Sequence, residues 1–328
     1  MDPLTHTLVG VGIANAFYRE KLGPRAVPLL AIAANLPDID VAVHLTGQAS
    51  AVLLRRGFGH SLLLAPLWCA GFAFLMSRWR WTDKGFGELF VPSLAGVASH
   101  LLFDLINSFG VQLLWPVWPW RPEFAVTFII DLTLTGFLAF PLLAAAPKVL
   151  REGLRGFSRV GLALAAGYLL FCWGNRARAM RLLDWEAKTS GLESEFSYVF
   201  PEPFGPHRWK GVLRTGSVYH LYLIHSVSGK IEPRGELETA SGPEVEAARK
   251  TTLALRLERF FKAPVWSARK EADGAAEVSV RDLRFQSLVL SRGRPQDIGG
   301  GTSSGYPSVG LPFEFRFRVR PDGKAEPL

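Results

Sequence analysis

Apolar runs long enough to enter a bilayer crowd the first 175 residues and stop there. A helix needs about 20 apolar residues to cross the hydrocarbon core. Candidate segments fall at 7–18, 26–45, 61–77, 89–109, 125–147 and 160–174. The first and last are short, so the pattern predicts about five or six membrane segments. Charge divides the chain at the same place. Residues 1–175 carry 13 Lys+Arg and 10 Asp+Glu, against 24 and 19 in residues 176–328. A mean hydropathy of +0.17 is ordinary for a soluble enzyme and hides this split. The expected fold class is a mainly α transmembrane bundle over 1–175, a linker at 176–195 and a smaller extramembrane α+β domain over 196–328.

A net charge of +8 raises the question of nucleic acid. The basic residues of the second half are interleaved with acidic ones and form no dense block, which argues against that partner. A membrane protein needs cationic loops for orientation and for anionic headgroups. The loop after the first segment holds Arg19, Lys21 and Arg25. The loop after the third holds Arg78, Arg80 and Lys84, and the loop after the fifth holds Lys148, Arg151, Arg155 and Arg159. The opposite loops hold only Arg55, Arg56 and Arg121. If all six segments cross, the cation-rich side is cytoplasmic and the C-terminal half faces outward. Arg176, Arg178 and Arg181 argue weakly the other way. The opening MDPLTHTLVG has no basic n-region, so no cleavable signal is expected. Cys69 and Cys172 sit in apolar runs and read as small hydrophobic residues, not as a disulfide.

The outward loop 111–124, VQLLWPVWPWRPEF, is rich in Trp and Pro. Tryptophan favours the headgroup region, so anchoring on the membrane surface is the better reading and a substrate gate the sharper one. In the second half, strand-like alternation occurs at 209–214, 218–227, 276–290 and 311–319. One helix is expected from Pro243 to Phe261, with an apolar stripe through Val245, Leu253, Leu257 and Phe260. The stretch 299–305 lacks the lysine and helix of a phosphate cradle and reads as a loop. His207, His220 and His225 form no ligand constellation.

Ionisable residues inside a membrane are costly and mark function. His6 begins the first segment. Asp38 and Asp40 lie in NLPDID, in the second half of the second. His60 begins the third, His100 and Asp104 lie in the second half of the fourth, and Asp131 is near the start of the fifth. Successive segments alternate in direction, so all of these fall on the outward side. Scattered polar residues would not sort this way. His100 and Asp104 are four apart and share a helical face. Asp38 and Asp40 are two apart, which a helix would point away from each other, but Pro37 breaks the helix. Gly57 and Gly59 free the backbone before His60.

Imidazole with carboxylate suits a divalent ion, zinc above all, with manganese or iron as alternatives. The set exceeds the needs of one tetrahedral zinc. It suits two metals sharing a carboxylate, or one metal plus a general base. Asp131 reads either as a residue orienting a histidine or as a helix cap. Arg56, four before His60, reads either as solvated or as a grip for a phosphate. His44 reads as a surface histidine.

Taken in order, THTLVG at 5–10, LPDID at 36–40, RGFGHS at 56–61 and SHLLFD at 99–104 resemble the YdjM/DUF457 family of inner-membrane, metal-dependent hydrolases. The resemblance covers about residues 1–150. Each motif is weak alone; their order and spacing together are more specific. Phe58 departs from the small polar residue expected beside the histidine. The family is similar in turn to the zinc-dependent phospholipase C and P1 nuclease group. The resemblance implies a multi-pass protein of the bacterial inner membrane and a phosphoester substrate. It implies His6, Asp38, Asp40, His60, His100 and Asp104 as metal ligands. The expected function is a metal-dependent hydrolase acting on a membrane lipid or small-molecule substrate at the outer face, with Asp40 or Asp104 taking the proton from water. A metal-ion or proton transporter and a non-catalytic scaffold are the rivals. Transport sites lie near the midplane between repeats, and neither feature is evident here.

Overall fold

The computed structural model describes residues 1–46, 51–79, 83–145, 153–290 and 313–328. The glycine-rich stretch 299–305 and the loop cations Arg80, Lys148 and Arg151 lie outside the described residues. The chain divides into two compact units, Met1–Gly174 and Asn175–Leu328.

In the first unit, α1 (Pro3–Ile13) starts at Asp2, whose carboxylate accepts the Thr5 amide. Pro3 occupies the first turn, where a missing donor costs nothing. A π-helical turn (Ala14–Tyr18) and α2 (Arg19–Leu22) follow. Gly23 then takes φ +67, a left-handed conformation, and leads into α3 (Ala26–Ala33). Helices α1 and α3 pack face to face. A Cβ on Gly10 would lie 2.5 Å from the Leu30 carbonyl oxygen. A 3-10 stretch (Leu36–Thr46) succeeds α3 where Pro37 stops the helix. Next come α4 (Ala51–Leu54), a 3-10 turn (Phe58–His60), α5 (Ala65–Arg78), α6 (Phe86–Leu105), α7 (Leu132–Ala144) and α8 (Leu154–Thr189). Leu8 and Val9 of α1 share one apolar core with Phe103, Leu134 and Leu138. Leu29 and Leu30 of α3 share another with Ala73 and Leu89.

Among the described residues, three helical stretches are long and apolar enough to cross a membrane: Pro3–Leu45, Phe86–Leu105 and Leu154–Thr189. A fourth is reached if Ala51–His60 and Ala65–Arg78, bent by 69°, count as one span. Two of the expected segments fall inside Pro3–Leu45, which doubles back at Gly23. The expected 125–147 segment contains only α7, 13 residues long. Helix α8 continues through most of the expected linker. Ile32, Leu67, Leu75, Leu102, Leu143 and Leu170 stand exposed, as a lipid-facing surface requires.

The second unit is β-rich, with two antiparallel four-stranded sheets. The first sheet contains β1 (Phe196–Pro201), β2 (Arg208–Thr215), β3 (Val218–His225) and β4 (Lys230–Glu238) in that order. One face covers the last turns of α8, where Ala179, Leu183 and Ala187 meet Val199, Trp209, Leu213 and Ile224. The other face packs Phe200, Val212 and Leu221 against Ala263, Val265 and Leu283. Two short helices follow, α9 (Pro243–Arg249) and α10 (Thr252–Phe260), in place of the single helix expected. Thr251 interrupts them, and its hydroxyl accepts the Ala254 amide as a helix cap. The second sheet contains β5 (Pro264–Lys270), β6 (Ala276–Asp282), β7 (Glu314–Val319) and β8 (Ala325–Pro327). Burial alternates along β6 and β7 with the period of two that marked them in the sequence.

Candidate metal centre

Four separate pieces of the first unit converge on one buried cluster. His6 comes from α1, Asp38 and Asp40 from the 3-10 stretch after α3, His60 from the turn before α5, and His100 and Asp104 from α6. Local sequence explains each approach. Gly59 lets the His60 turn lie against the 3-10 stretch, since a Cβ there would be 2.1 Å from the Pro37 carbonyl oxygen. On α6 the four-residue spacing of His100 and Asp104 brings their polar atoms to 3.5 Å. All six side chains are buried except Asp38, which keeps 23% of its surface exposed.

His60 Nδ1 lies 2.9 Å from Asp40 Oδ2, which also accepts the Gly57 amide. His100 Nδ1 lies 2.6 Å from the Ala34 carbonyl oxygen. A carbonyl and a carboxylate are acceptors, so both Nδ1 atoms carry a hydrogen and both rings turn Nε2 inward. Those two Nε2 atoms are 3.0 Å apart. Asp104 Oδ2 lies 3.1 Å from the one and 3.5 Å from the other. Three atoms that can each offer a lone pair therefore meet at one point. His6 stacks on His100 with ring centroids 3.7 Å apart, and neither of its nitrogens has a hydrogen-bond partner among the described residues. Its Nε2 is 3.3 Å from Asp104 Oδ1.

The model of the YdjM inner membrane protein family matches residues 1–179. The chain belongs to this family. No curated protein and no solved structure matches it. The matched region holds every member of the cluster, so the cluster is a property of the YdjM part of the chain and not of the β-rich unit.

The donor set of this YdjM protein fits a divalent metal. A tetrahedral zinc with bonds of 2.0–2.1 Å sets its ligands about 3.3 Å apart, close to the separations of His60, His100 and Asp104. Each metal-binding imidazole needs its other nitrogen held by a carboxylate or a carbonyl, as Asp40 and Ala34 do here. Two ligand groups share the cluster, His6–His100–Asp104 and Asp38–His60–His100, each with its donor atoms within 4.8 Å of one another. The single free lone pair of His100 serves one ion at a time. Asp104 turns one oxygen to His6 and the other to His60, so it could serve as a ligand with either histidine.

Two expectations change. Asp131 does not join the cluster. Its Oδ1 accepts the Thr133 and Leu134 amides as the cap of α7, and its Oδ2 accepts the Tyr168 hydroxyl at 2.7 Å. Arg56 does join, but not as an open grip for a substrate. Its Nε donates to Asp104 Oδ2 at 2.7 Å and a terminal nitrogen donates to Asn107 Oδ1 at 2.8 Å. Its guanidinium also covers the Phe109 ring at 4.7 Å. Phe58, the departure from the motif, turns to an aromatic group with Trp68 and Trp115.

Three participants were not foreseen. Asn107 reaches Asp104 Oδ1 at 3.4 Å; its place three residues further along the same face was a usable signal. The Met1 amino group pairs with Asp104, and nothing in the residue pattern foretells it. Arg55 lies between Asp38 and Asp40. The Trp/Pro loop is tied to the His60 turn. The Ser61 hydroxyl donates to the Trp115 carbonyl, and the Leu62 amide to that of Leu113. Val117, Trp118 and Trp120 stand exposed beyond those ties, as membrane anchoring requires.

Asp38 also borders an open groove of about 540 Å³, lined by Thr7, Ala31, Ile32, Asn35, Leu36 and Ile39. The buried cluster thus has one carboxylate at the edge of an apolar groove.

Proposed function

We propose that this protein is a membrane-embedded, divalent-metal-dependent hydrolase that cleaves a phosphoester or ester of a lipid or envelope substrate at the outer face of the inner membrane. The observation that carries this reading is the close approach of His60 Nε2, His100 Nε2 and Asp104 Oδ2, within 3.5 Å of one another, while both Nδ1 atoms are engaged from behind. Either a proton or a metal must occupy such a junction. Buried imidazoles held from behind by a carboxylate and a carbonyl favour the metal. His60, His100 and Asp104 would hold it, with His6 and Asp38 completing the set for one ion or two. Zinc suits the nitrogen and oxygen donors best, and manganese or iron also match them. When bound, it supplies a Lewis acid and an acidified water.

The remaining steps belong to the chain. Asp40 fixes the tautomer and orientation of His60. Arg56 and Asn107 hold Asp104 in place. Asp40 and Asp104, the expected proton acceptors, are both engaged in these pairs. Asp38, at the edge of the groove, is placed to accept the proton of the attacking water in a one-ion arrangement that His6 and not Asp38 completes. The apolar groove wall accommodates an acyl chain, and the Trp-rich loop keeps the site at the headgroup level.

The deciding experiment is metal analysis of the protein purified in detergent. Wild type should carry a stoichiometric transition metal, most of which is lost in His100→Ala. Undiminished metal in that variant, with native circular dichroism, sinks the site.

A further inference from the structure

We propose that Arg55, and not Arg56, holds the anionic oxygens of the substrate, which makes that substrate a phosphoester and not a neutral ester. The inference rests on the hydrolase reading and names its substrate class.

The two arginines are neighbours with opposite surroundings. The Arg56 side chain is 6% exposed, and its strong donors are taken by Asp104 and Asn107. Its backbone sits at φ +56, a left-handed conformation unfavourable for a non-glycine residue, and its side chain turns inward to Asp104. Arg55 is 26% exposed. Its nearest acceptors are Asp38 Oδ1 at 3.4 Å and Asp40 Oδ1 at 3.5 Å. Those separations exceed the roughly 2.7–2.9 Å of a strong charge-assisted hydrogen bond. Among the described residues its buried Nε makes no hydrogen bond, and neither does Asp40 Oδ1.

The Arg55 backbone, by contrast, is fixed. Its amide donates to the Val52 carbonyl and its own carbonyl accepts from Arg121 at 3.0 Å. A loosely paired guanidinium on a fixed backbone, beside the carboxylate that borders the groove, is placed to exchange weak partners for a strong one. Charge points the same way. The carboxylates of Asp38, Asp40 and Asp104 face the guanidiniums of Arg55 and Arg56. A divalent ion added to these side chains makes the set net positive, which a phosphate ester offsets and a neutral ester does not. The planar fork of Arg55 matches two oxygens of a phosphate.

The test uses the full chain in phosphatidylcholine nanodiscs, titrated calorimetrically with inorganic phosphate. Wild type should bind. Arg55→Ala should weaken binding at least tenfold and Arg55→Lys by less, with metal content and melting temperature unchanged. Wild type that binds no phosphate, or Arg55→Ala that binds as wild type does, overturns the assignment. A second arm adds phosphatidate to the disc. Displacement of phosphate assigns Arg55 to a lipid headgroup, and undisturbed binding assigns it to a soluble phosphoester. A protein that binds phosphate through Arg55 and hydrolyses no phosphoester overturns the hydrolase reading and leaves Arg55 as a phosphate-binding residue only.

Discussion

The β-rich unit buries Glu202, Lys210, Asp282 and Arg284, and the helical unit buries Asp40, Arg56, His60, His100 and Asp104. The two clusters have similar residues and opposite hydrogen bonding. Asp282 accepts the amides of Lys262, Ala263 and Arg284, and pairs with the Arg284 guanidinium at 3.1 Å. That guanidinium lies over the Phe260 and Phe285 rings. Glu202 accepts the Ser287 hydroxyl and the Leu288 amide. Lys210 donates to the carbonyls of Leu283 and Gln286. Burial pushes its pKa down from the ordinary lysine value, while Glu202 and Asp282 pull it back. In this cluster each carboxylate faces donors. In the helical cluster Asp104 meets Arg56 but also the Nε2 atoms of His60 and His100, which face each other. Burial of charge does not by itself mark a site. Lone pairs left pointing at one another do, because a fold that needed the cluster only for stability would have satisfied them.

The largest effect that separates the two should come from Arg284→Met. It strands Asp282 as a buried, unpaired carboxylate, at a cost of about 3–5 kcal/mol. Denaturant unfolding followed by the fluorescence of Trp209 and Trp266 should show that loss, with metal content unchanged. A neutral result would mean that the satisfied cluster is not what holds this unit, and the contrast would fail.

The second effect runs in the other direction. Zinc at about one hundred times its dissociation constant should stabilise the helical unit by roughly 2.7 kcal/mol. It should leave the β-rich unit where it was. Thermal melts with and without metal, read by proteolysis of each unit, separate the two. His60→Gln should abolish the shift. A shift that survives in that variant would place the ion elsewhere.

Much of this contrast was legible in the sequence, for reasons that differ by element. His100 and Asp104 could be paired because helical periodicity fixes which residues share a face. Asp38 and Asp40 could be turned inward because Pro37 stops the helix before them. The pairing of Arg56 with Asp104 was not legible, since spacing along the chain says nothing of contacts 48 positions away. The number of crossings was obscured by the reversal at Gly23, which folds two apolar runs into one stretch. Strand β4, KIEPRGELE, was missed because both its faces are largely exposed and it carries a proline, so no alternation arises. The break at Thr251 was missed although a Thr–Thr pair inside a helical pattern is a capping signal.

Asp131 gives the smallest effect and tests the boundary of the cluster. An aspartate at the head of an apolar helix has the same sequence signature whether it caps the helix or serves a metal. The tertiary partner decides: its two oxygens are taken by two amides of α7 and by Tyr168. Asp131→Ala should therefore cost about 1–2 kcal/mol, a lost cap plus an orphaned hydroxyl. Asp131→Asn should cost less, since an amide oxygen still caps. Neither variant should change metal content or phosphate binding. A fall in metal content at unchanged stability would move Asp131 back into the metal centre, and the line between satisfied and unsatisfied buried charge would then have to be drawn through the helical unit itself.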